Sequence, residues 1–536
     1  MSSIKQNLIE CLKQGLKSLD INVAIGIGLE RPARKEHGDW SSNIALAAAK
    51  PAGVPPRVLA QKLVESMEPI CPSVVKEIQI AGPGFINFYL HDSWLYEVML
   101  EAISLGENNF GRSEIGKSIS VNVEFVSANP TGPLHAGGGR WAAFGDSLCN
   151  LLQFCGYKVH REYYLNDRGK QMQLFAQSLA AKKAGKEVDS NGYQGEYITE
   201  WAAEMPDDAD PALWGYDRVL KDLRETLAKM GVYFDTWYSE NSLIESGAID
   251  QTLEKLSSRG VVYELDGATW LRTTAFDDDK DRVIIRSDGQ PTYVLPDIAY
   301  HRDKFQRGFD LLIDIWGSDH HGYVTRLKAG VAALGYDPNC LEVILGQLVT
   351  LVKNGQPVRL SKRTGDMVAL SDVLDAVGPD AARLTFLLQS IDTRLVFDLD
   401  VVSSNTMENP VYYIQYAYAR VASIAKVAKE RGIVQLSPQE VDFSLLVHER
   451  EKDLLRALSE LPETILLACN ERAPYKITNW VRDFAGRFHG FYHDCYVMGE
   501  GISPQLTQAR LYLVEAVRIG LNIGLKILGV SAPEEM

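Results

Sequence analysis

The sequence predicts an α/β protein: a sheet core built from alternating strands and helices, preceded by a small α+β module and followed by an all-helical region. Three observations lead there. Residues 113–400 alternate strand-like and helix-like segments, as a sheet assembled from βαβ units does. A glycine turn, Gly137-Gly138-Gly139, joins the first of these strands to the first helix. Residues 401–536 carry apolar residues at helical spacing, as in 445–461 and 511–528.

The elements follow in chain order. MSSIKQNLIECLKQGLKSLD has the pattern of an amphipathic helix. Pro51, Pro55 and Pro56 punctuate two helical stretches around 45–50 and 58–67, and IQIAGPGFINFYL reads as strand, which makes 1–112 an α+β module. Ile119, Val121, Val123 and Phe125 alternate with more polar neighbours, the period of a strand. Asn129, Pro130, Gly132 and Pro133 break it, and the apolar run 141–154 predicts a helix. A second strand spans 158–164 and ends at the turn Asn166-Asp167. Residues 176–290 are more polar and less regular, which predicts insertions into the sheet region. A strand over 311–316, the segment Gly317-Ser318-Asp319-His320-His321 and a helix over 323–334 come next. The apolar run 343–352 reads as one buried strand leading into the basic loop GQPVRLSKRTG. Pro379 and the polar stretch 398–410 mark the exit into the helical region, where Tyr412, Tyr413, Tyr416 and Tyr418 cluster, most of them as core.

Length and composition bound the function. A chain of 536 residues, 46% hydrophobic, builds several cored domains. No apolar run reaches about 18 residues, so no span of a membrane is expected, and the N-terminus lacks the apolar centre of a signal peptide. Seven cysteines include no CxxC pair and no metal spacing with histidine, which fits a reducing, cytoplasmic compartment. His320-His321, adjacent and without further ligands, predicts no metal site. The net charge is −15, and most of the acidity is central: residues 113–400 hold 30 basic and 42 acidic side chains, whereas the two ends are nearly neutral. Composition therefore neither supports nor excludes a nucleic-acid partner.

Two segments carry chemistry. A strand, a glycine turn and a helix N-terminus form an anion site, because free N–H groups and the helix dipole point to one place. His135 lies at its edge, where an imidazole can donate to a phosphate. In the second segment, Arg359, Lys362 and Arg363 share a short loop with Ser361 and three breakers, Gly355, Pro357 and Gly365. Positive charge there suits a reaction in which pyrophosphate leaves, since it stabilises the transition state more than the ground state. Each segment alone also reads as an ordinary surface turn. Together they are specific.

HAGG and RLSKR resemble the two signatures of class I aminoacyl-tRNA synthetases, and VEFVSANPTGPLHAGGGR, REYYLNDRGKQM, IIRSDGQPTYVLPDIAYHRDKF, WGSDHHGYVTRLKA and NPVYYIQYAYARV narrow the resemblance to bacterial arginyl-tRNA synthetases. It covers nearly the whole chain, with one departure: Gly138 stands where the second signature histidine is usual. The resemblance implies a Rossmann-like class I catalytic domain over 113–400 with insertions around 176–290, a tRNA-contacting module over 1–112 and an anticodon-binding bundle over 401–536. It implies an arginine–tRNA ligase that forms arginyl-adenylate from ATP with Mg²⁺ as its companion, needs no structural metal, uses tRNA(Arg), L-arginine and ATP, and acts as a cytoplasmic monomer. The catalytic residues implied are His135, Lys362 and Arg363. ATP falls to His135, Gly137, Gly138, Gly139, Arg359, Ser361 and Lys362, and arginine to Glu124, Ser127, Asn129, Glu240, Tyr293, Asp297 and His321. Gly138 leaves open a second reading, an inactive relative that only binds RNA. A tRNA-independent nucleotidyltransferase is a third, which the long N- and C-terminal regions oppose.

Overall fold

The computed structural model describes residues 3–22, 26–32, 34–358, 368–404 and 406–536. At its centre lies a five-stranded parallel sheet, ordered in space Leu341–Gly346, Leu311–Gly317, Ser120–Glu124, Lys158–Leu165, Thr236–Ser239. The first strand in the chain is thus the middle one. The chain winds outward through two strands on one side, then returns to build the other. Between Ser120–Glu124 and Leu311–Gly317 the winding reverses, and in open α/β sheets ligands bind beyond the carboxyl ends of the strands at that point. Val121, Val123, Leu312 and Ile313 are fully buried there, as strands covered on both faces require.

Three expectations are revised. The helix after the first strand starts at Ala136, not 141, so the three glycines form its first turn. They are tolerated because the helix is packed too closely for side chains: a Cβ on Gly139 would lie 2.6 Å from Leu370 and 2.8 Å from Phe386. The run 343–352 is not one strand. It breaks after Gly346, and Val349–Lys353 pairs instead with Leu395–Asp398 in a separate sheet. Trp141 sits over Gly346, leaving 1.9 Å for any Cβ, while Arg140 binds the carbonyls of Gln347 at 2.9 Å and Ser390 at 2.8 Å. Residues 176–290 are more regular than their polarity predicts. Helices Lys170–Lys183, Glu196–Glu204 and Pro211–Lys229 precede the edge strand Thr236–Ser239. Beyond it, Val262–Leu265, Ala268–Leu271 and Arg282–Ile285 form an antiparallel sheet.

At the N-terminus, helices Ser3–Ser18, Ile44–Ala52 and Pro56–Met67 accompany an antiparallel sheet of Trp40–Ser42, Phe85–Leu90 and Val75–Ala81. Pro56 occupies a first helical turn, where its missing N–H costs nothing. The next helix, Ser93–Asn109, packs on Glu449–Asn470 and Pro504–Leu528 of the C-terminal bundle, whose other long helices are Pro410–Glu430 and Tyr475–Asp494. Tyr418 is buried in this bundle; Tyr412 and Tyr416 stack at 5.7 Å, half exposed.

A buried guanidinium helps key the bundle into the central domain. Arg383, 1% exposed, donates to Leu528 O at 2.6 Å, to Met230 O at 2.8 Å and to the Asp146 carboxylate. Ser147 Oγ adds a 3.0 Å bond to the same Leu528 carbonyl. These donors meet the last carbonyls of Pro504–Leu528, groups that have no partner within their own helix. Among the described residues no helix is long and apolar enough to cross a membrane.

Candidate active site

His135 caps the Ala136–Phe154 helix: its Nδ1 accepts from Gly137 N at 3.0 Å. The unprotonated nitrogen is therefore Nδ1, and a neutral ring directs its Nε2–H elsewhere. Desolvation pushes the His135 pKa below the usual imidazole range, which favours that neutral form. Asn129, His135, Gly137 and Gly138 line a cleft of about 550 Å³ together with Trp141 and Tyr193. A Cβ on Gly138 would fall 2.7 Å from Leu134 Cδ1 and 3.0 Å from its Cγ. Leu134 is what a side chain at 138 would meet.

Arg359, Ser361, Lys362 and Arg363 lie outside the described residues. The chain on either side of them is described. Val358 N bonds Leu351 O at 2.9 Å, Val368 O accepts from Ala136 N at 2.9 Å, and Leu370 N donates to Leu134 O at 2.7 Å. Residues Val368 to Leu370, which follow the basic segment in the chain, thus lie on the histidine-capped turn, with Ala369 bridged to His135.

Glu124 ends the middle strand, and the following loop takes an unusual course: Val126 and Ser127 hold φ of +70° and +40°. Side chains other than glycine rarely adopt this conformation, and such strain gathers at functional sites. It turns Ser127 Oγ back to donate to Glu124 Oε1 at 3.0 Å and to accept from Tyr164 N at 3.1 Å. Asn129 is exposed and donates to Gln171 at 2.7 Å. Across the switch point, Asp297 lies in the first turn of helix Val294–Gln306 and accepts from the Tyr323 hydroxyl. Burial pushes its pKa up to about 6, aided by Glu240 and Glu124 and opposed by Tyr323 and His301. Glu240 begins helix Glu240–Glu245; burial raises it too, while Arg168 and a hydrogen bond from Tyr164 oppose the rise. Tyr164 faces all three carboxylates, Glu240, Asp297 and Glu124, which add to burial in holding its hydroxyl protonated.

Two expected residues stand apart. Tyr293 precedes the Val294–Gln306 helix and is 79% exposed. His321 is exposed in the turn Ser318–Tyr323. The tyrosines in contact with the carboxylates are Tyr164 and Tyr323, which sequence reasoning passed over; REYYL did hold one signal, since strand ends point at the switch point. Behind the pocket, also missed, Lys304 is fully buried between Glu124 Oε2 at 2.7 Å and Asp314 Oδ1 at 2.9 Å. Burial alone would lower its pKa; the two carboxylates outweigh burial and hold it above the usual lysine range. Chemically, a cluster of carboxylates edged by hydroxyls suits a planar cation with several N–H donors. The capped turn suits phosphate. Among the described residues no group of three or more His, Cys, Asp or Glu is placed to hold a metal.

Residues 100–195 and 212–390 match the family model described as the class I (R) tRNA synthetase catalytic domain, which makes this a class I aminoacyl-tRNA synthetase. Residues 5–90 match the arginyl-tRNA synthetase N-terminal domain, and 414–536 the DALR anticodon-binding domain. The chain belongs to the arginyl-tRNA synthetases, the ATP-dependent arginine–tRNA ligases. It is 45% identical to the arginine–tRNA ligase of Carboxydothermus hydrogenoformans over 97% of this chain and 96% of that one. With that of Bacillus licheniformis it shares 44% over all of both. A Campylobacter jejuni structure titled a putative arginyl-tRNA synthetase superposes with a TM-score of 0.76 at 36% identity, covering 83% of this chain and 100% of that one. The Thermus thermophilus arginyl-tRNA synthetase, at 20% identity, shares the fold with a TM-score of 0.79, covering 99% and 100%.

Proposed function

We propose that the three-carboxylate pocket holds the arginine guanidinium while the histidine-capped turn holds the ATP phosphates. The observation that carries this reading is that Ser127 bonds both Glu124 and the Tyr164 amide, beside Glu240 and the Tyr323-bonded Asp297. A carboxylate oxygen of arginine attacks the α-phosphorus, the bond to the β-phosphate oxygen breaks, and pyrophosphate leaves. A terminal ribose hydroxyl of tRNA then attacks the adenylate carbonyl and AMP departs. Neither step needs a covalent enzyme intermediate; alignment and charge stabilisation suffice. In this reading His135 Nε2–H and the first-turn amides bind phosphate oxygens. Lys362 and Arg363 neutralise the departing pyrophosphate, and Arg359 and Ser361 complete the ATP contacts. Ser127, Asn129, His321 and Tyr293 serve the amino-acid side, the last two by moving toward bound substrate.

Around the turn, the described residues offer amides and an imidazole rather than carboxylates. Mg²⁺ would accordingly be carried by the ATP phosphates and water, screening their charge. The module at 1–112 is assigned to tRNA contact, 113–400 to catalysis and 401–536 to the anticodon, in a cytoplasmic monomer. Gly138 belongs to an active enzyme in this reading, because Leu134 already fills the space beside it. The test is aminoacylation of purified tRNA with each amino acid, with pyrophosphate exchange run in parallel. Arginine alone should be charged. Charging of a different amino acid, or of none, would overturn the reading.

A further inference from the structure

Behind the carboxylate pocket, His301 is 3% exposed and both of its ring nitrogens are engaged. Nδ1 lies 2.7 Å from the backbone oxygen of Asp297, and Nε2 lies 2.7 Å from Asp314 Oδ2. A backbone carbonyl only accepts. Asp314 only accepts when ionised, and it is held ionised: burial opposes this, but Lys304 and His301 together keep its carboxyl well below the usual range. A neutral imidazole has one N–H and one lone pair, so one contact would set a lone pair against an oxygen. Satisfying both requires hydrogen on both nitrogens. Tyr300 meets the ring edge-on at 5.4 Å, and the Lys304 cation, which opposes a second charge nearby, is itself paired with Glu124 and Asp314.

Asp297, His301 and Lys304 follow one another at i, i+4 and i+7, one face of the Val294–Gln306 helix. That face turns toward the two central strands, which supply the paired residues Glu124 and Asp314. His301 and the Lys304 cation thereby back a row of carboxylates whose front member is Asp297. We propose that His301, as an imidazolium strapped between Asp314 and the Asp297 carbonyl, is a positioning residue for amino-acid recognition: it fixes the first helical turn and with it the Asp297 carboxylate that faces the guanidinium. This rests on Asp297 being the guanidinium acceptor. His301 touches no substrate.

Two measurements on the full-length chain test it. Nitrogen NMR of labelled histidine should show one ring with both nitrogens protonated, absent from His301→Gln. A spectrum in which the His301 ring has an unprotonated nitrogen overturns the proposal, whatever the variant does. In steady-state kinetics, His301→Gln should raise the arginine KM by roughly 10-fold or more, because a displaced Asp297 loses its charge-assisted contact with the guanidinium. Its kcat and ATP KM should stay within about 2-fold, a split that general loss of folding does not produce. An unchanged arginine KM in His301→Gln refutes the positioning role. If Asp297→Asn also leaves that KM unchanged while the doubly protonated ring is present, the pocket assignment has failed instead.

Discussion

Replacing Asp297 by asparagine separates what the pocket costs the fold from what it gives the reaction. In the folded protein Asp297 titrates at about 6, against about 3.9 for an unfolded chain. A carboxyl whose folded value is raised destabilises the fold wherever the unfolded chain carries it ionised. The penalty is absent below about pH 4, grows between 4 and 6, and is complete above 6. Two units amount to about 3 kcal/mol as an upper bound. Asparagine keeps an acceptor for the Tyr323 hydroxyl and removes only the charge. Asp297→Asn should therefore melt a few degrees higher than the parent at neutral pH and alike near pH 4. The same change removes a charge-assisted contact worth about 1.5–3 kcal/mol, so the arginine KM should rise roughly 10- to 100-fold with the ATP KM little changed. In the parent, the ionised fraction falls from about 0.9 at pH 7 to about 0.1 at pH 5, and the arginine KM should rise about 10-fold over that interval. Thermal melts and steady-state kinetics across pH measure all three. A parent KM that stays flat between pH 7 and 5, or a variant that melts lower than the parent at neutral pH, would refute the reasoning.

Other perturbations probe other parts. Lys362→Ala should slow adenylate formation, measured by pyrophosphate exchange, far more than it weakens arginine binding, because its charge is needed as pyrophosphate departs; exchange at the parent rate removes it from that role. Gly138→His should lower arginylation rather than improve it, since its Cβ meets Leu134 at 2.7 Å. A gain in activity would mean that the glycine is a lesion. Arg383→Ala should destabilise the protein by about 3–5 kcal/mol, the usual cost of breaking a buried ion pair, and chemical denaturation at unchanged midpoint would show that the guanidinium does not tie the bundle down.

The sheet and the capped turn were legible because their signals are local. Alternation at 119–125, the glycines at 137–139 and the apolar run at 311–316 each state an element within a few residues. The break at Gly346 was illegible for the opposite reason. It depends on Trp141, some 200 residues earlier, and nothing in the run 343–352 announces that the ring will lie there. The pocket shows both cases. PTYVLPDIAYHRDKF set Asp297, His301 and Lys304 on one helical face, and that spacing was available to inspection. Their partners Glu124 and Asp314 come from two different strands, so that a buried lysine became intelligible only once the sheet order was known. Tyr293 illustrates the limit of spacing alone. It stands four residues before Asp297, yet its position just ahead of the helix leaves its ring in solvent, while Tyr323 arrives from another segment to reach the carboxylate.

The docking of the last long helix changes how the chain can be divided. Matches to three family models suggest three separable pieces, and a cut near residue 400 looks like a natural way to obtain a small catalytic fragment. Such a fragment would inherit Arg383, Asp146 and Ser147 with the Leu528 carbonyl gone. A guanidinium built to be enclosed would be opened to water beside the Ala136–Phe154 helix, whose first turn lies only about three helical turns from Ser147. Ser93–Asn109 would in the same stroke lose both helices on which it lies. The boundaries in the sequence are therefore not lines of cleavage. Excised pieces should be insoluble or molten, and engineering that exchanges the C-terminal bundle between relatives would have to carry Arg383 and the end of the Pro504–Leu528 helix as one unit.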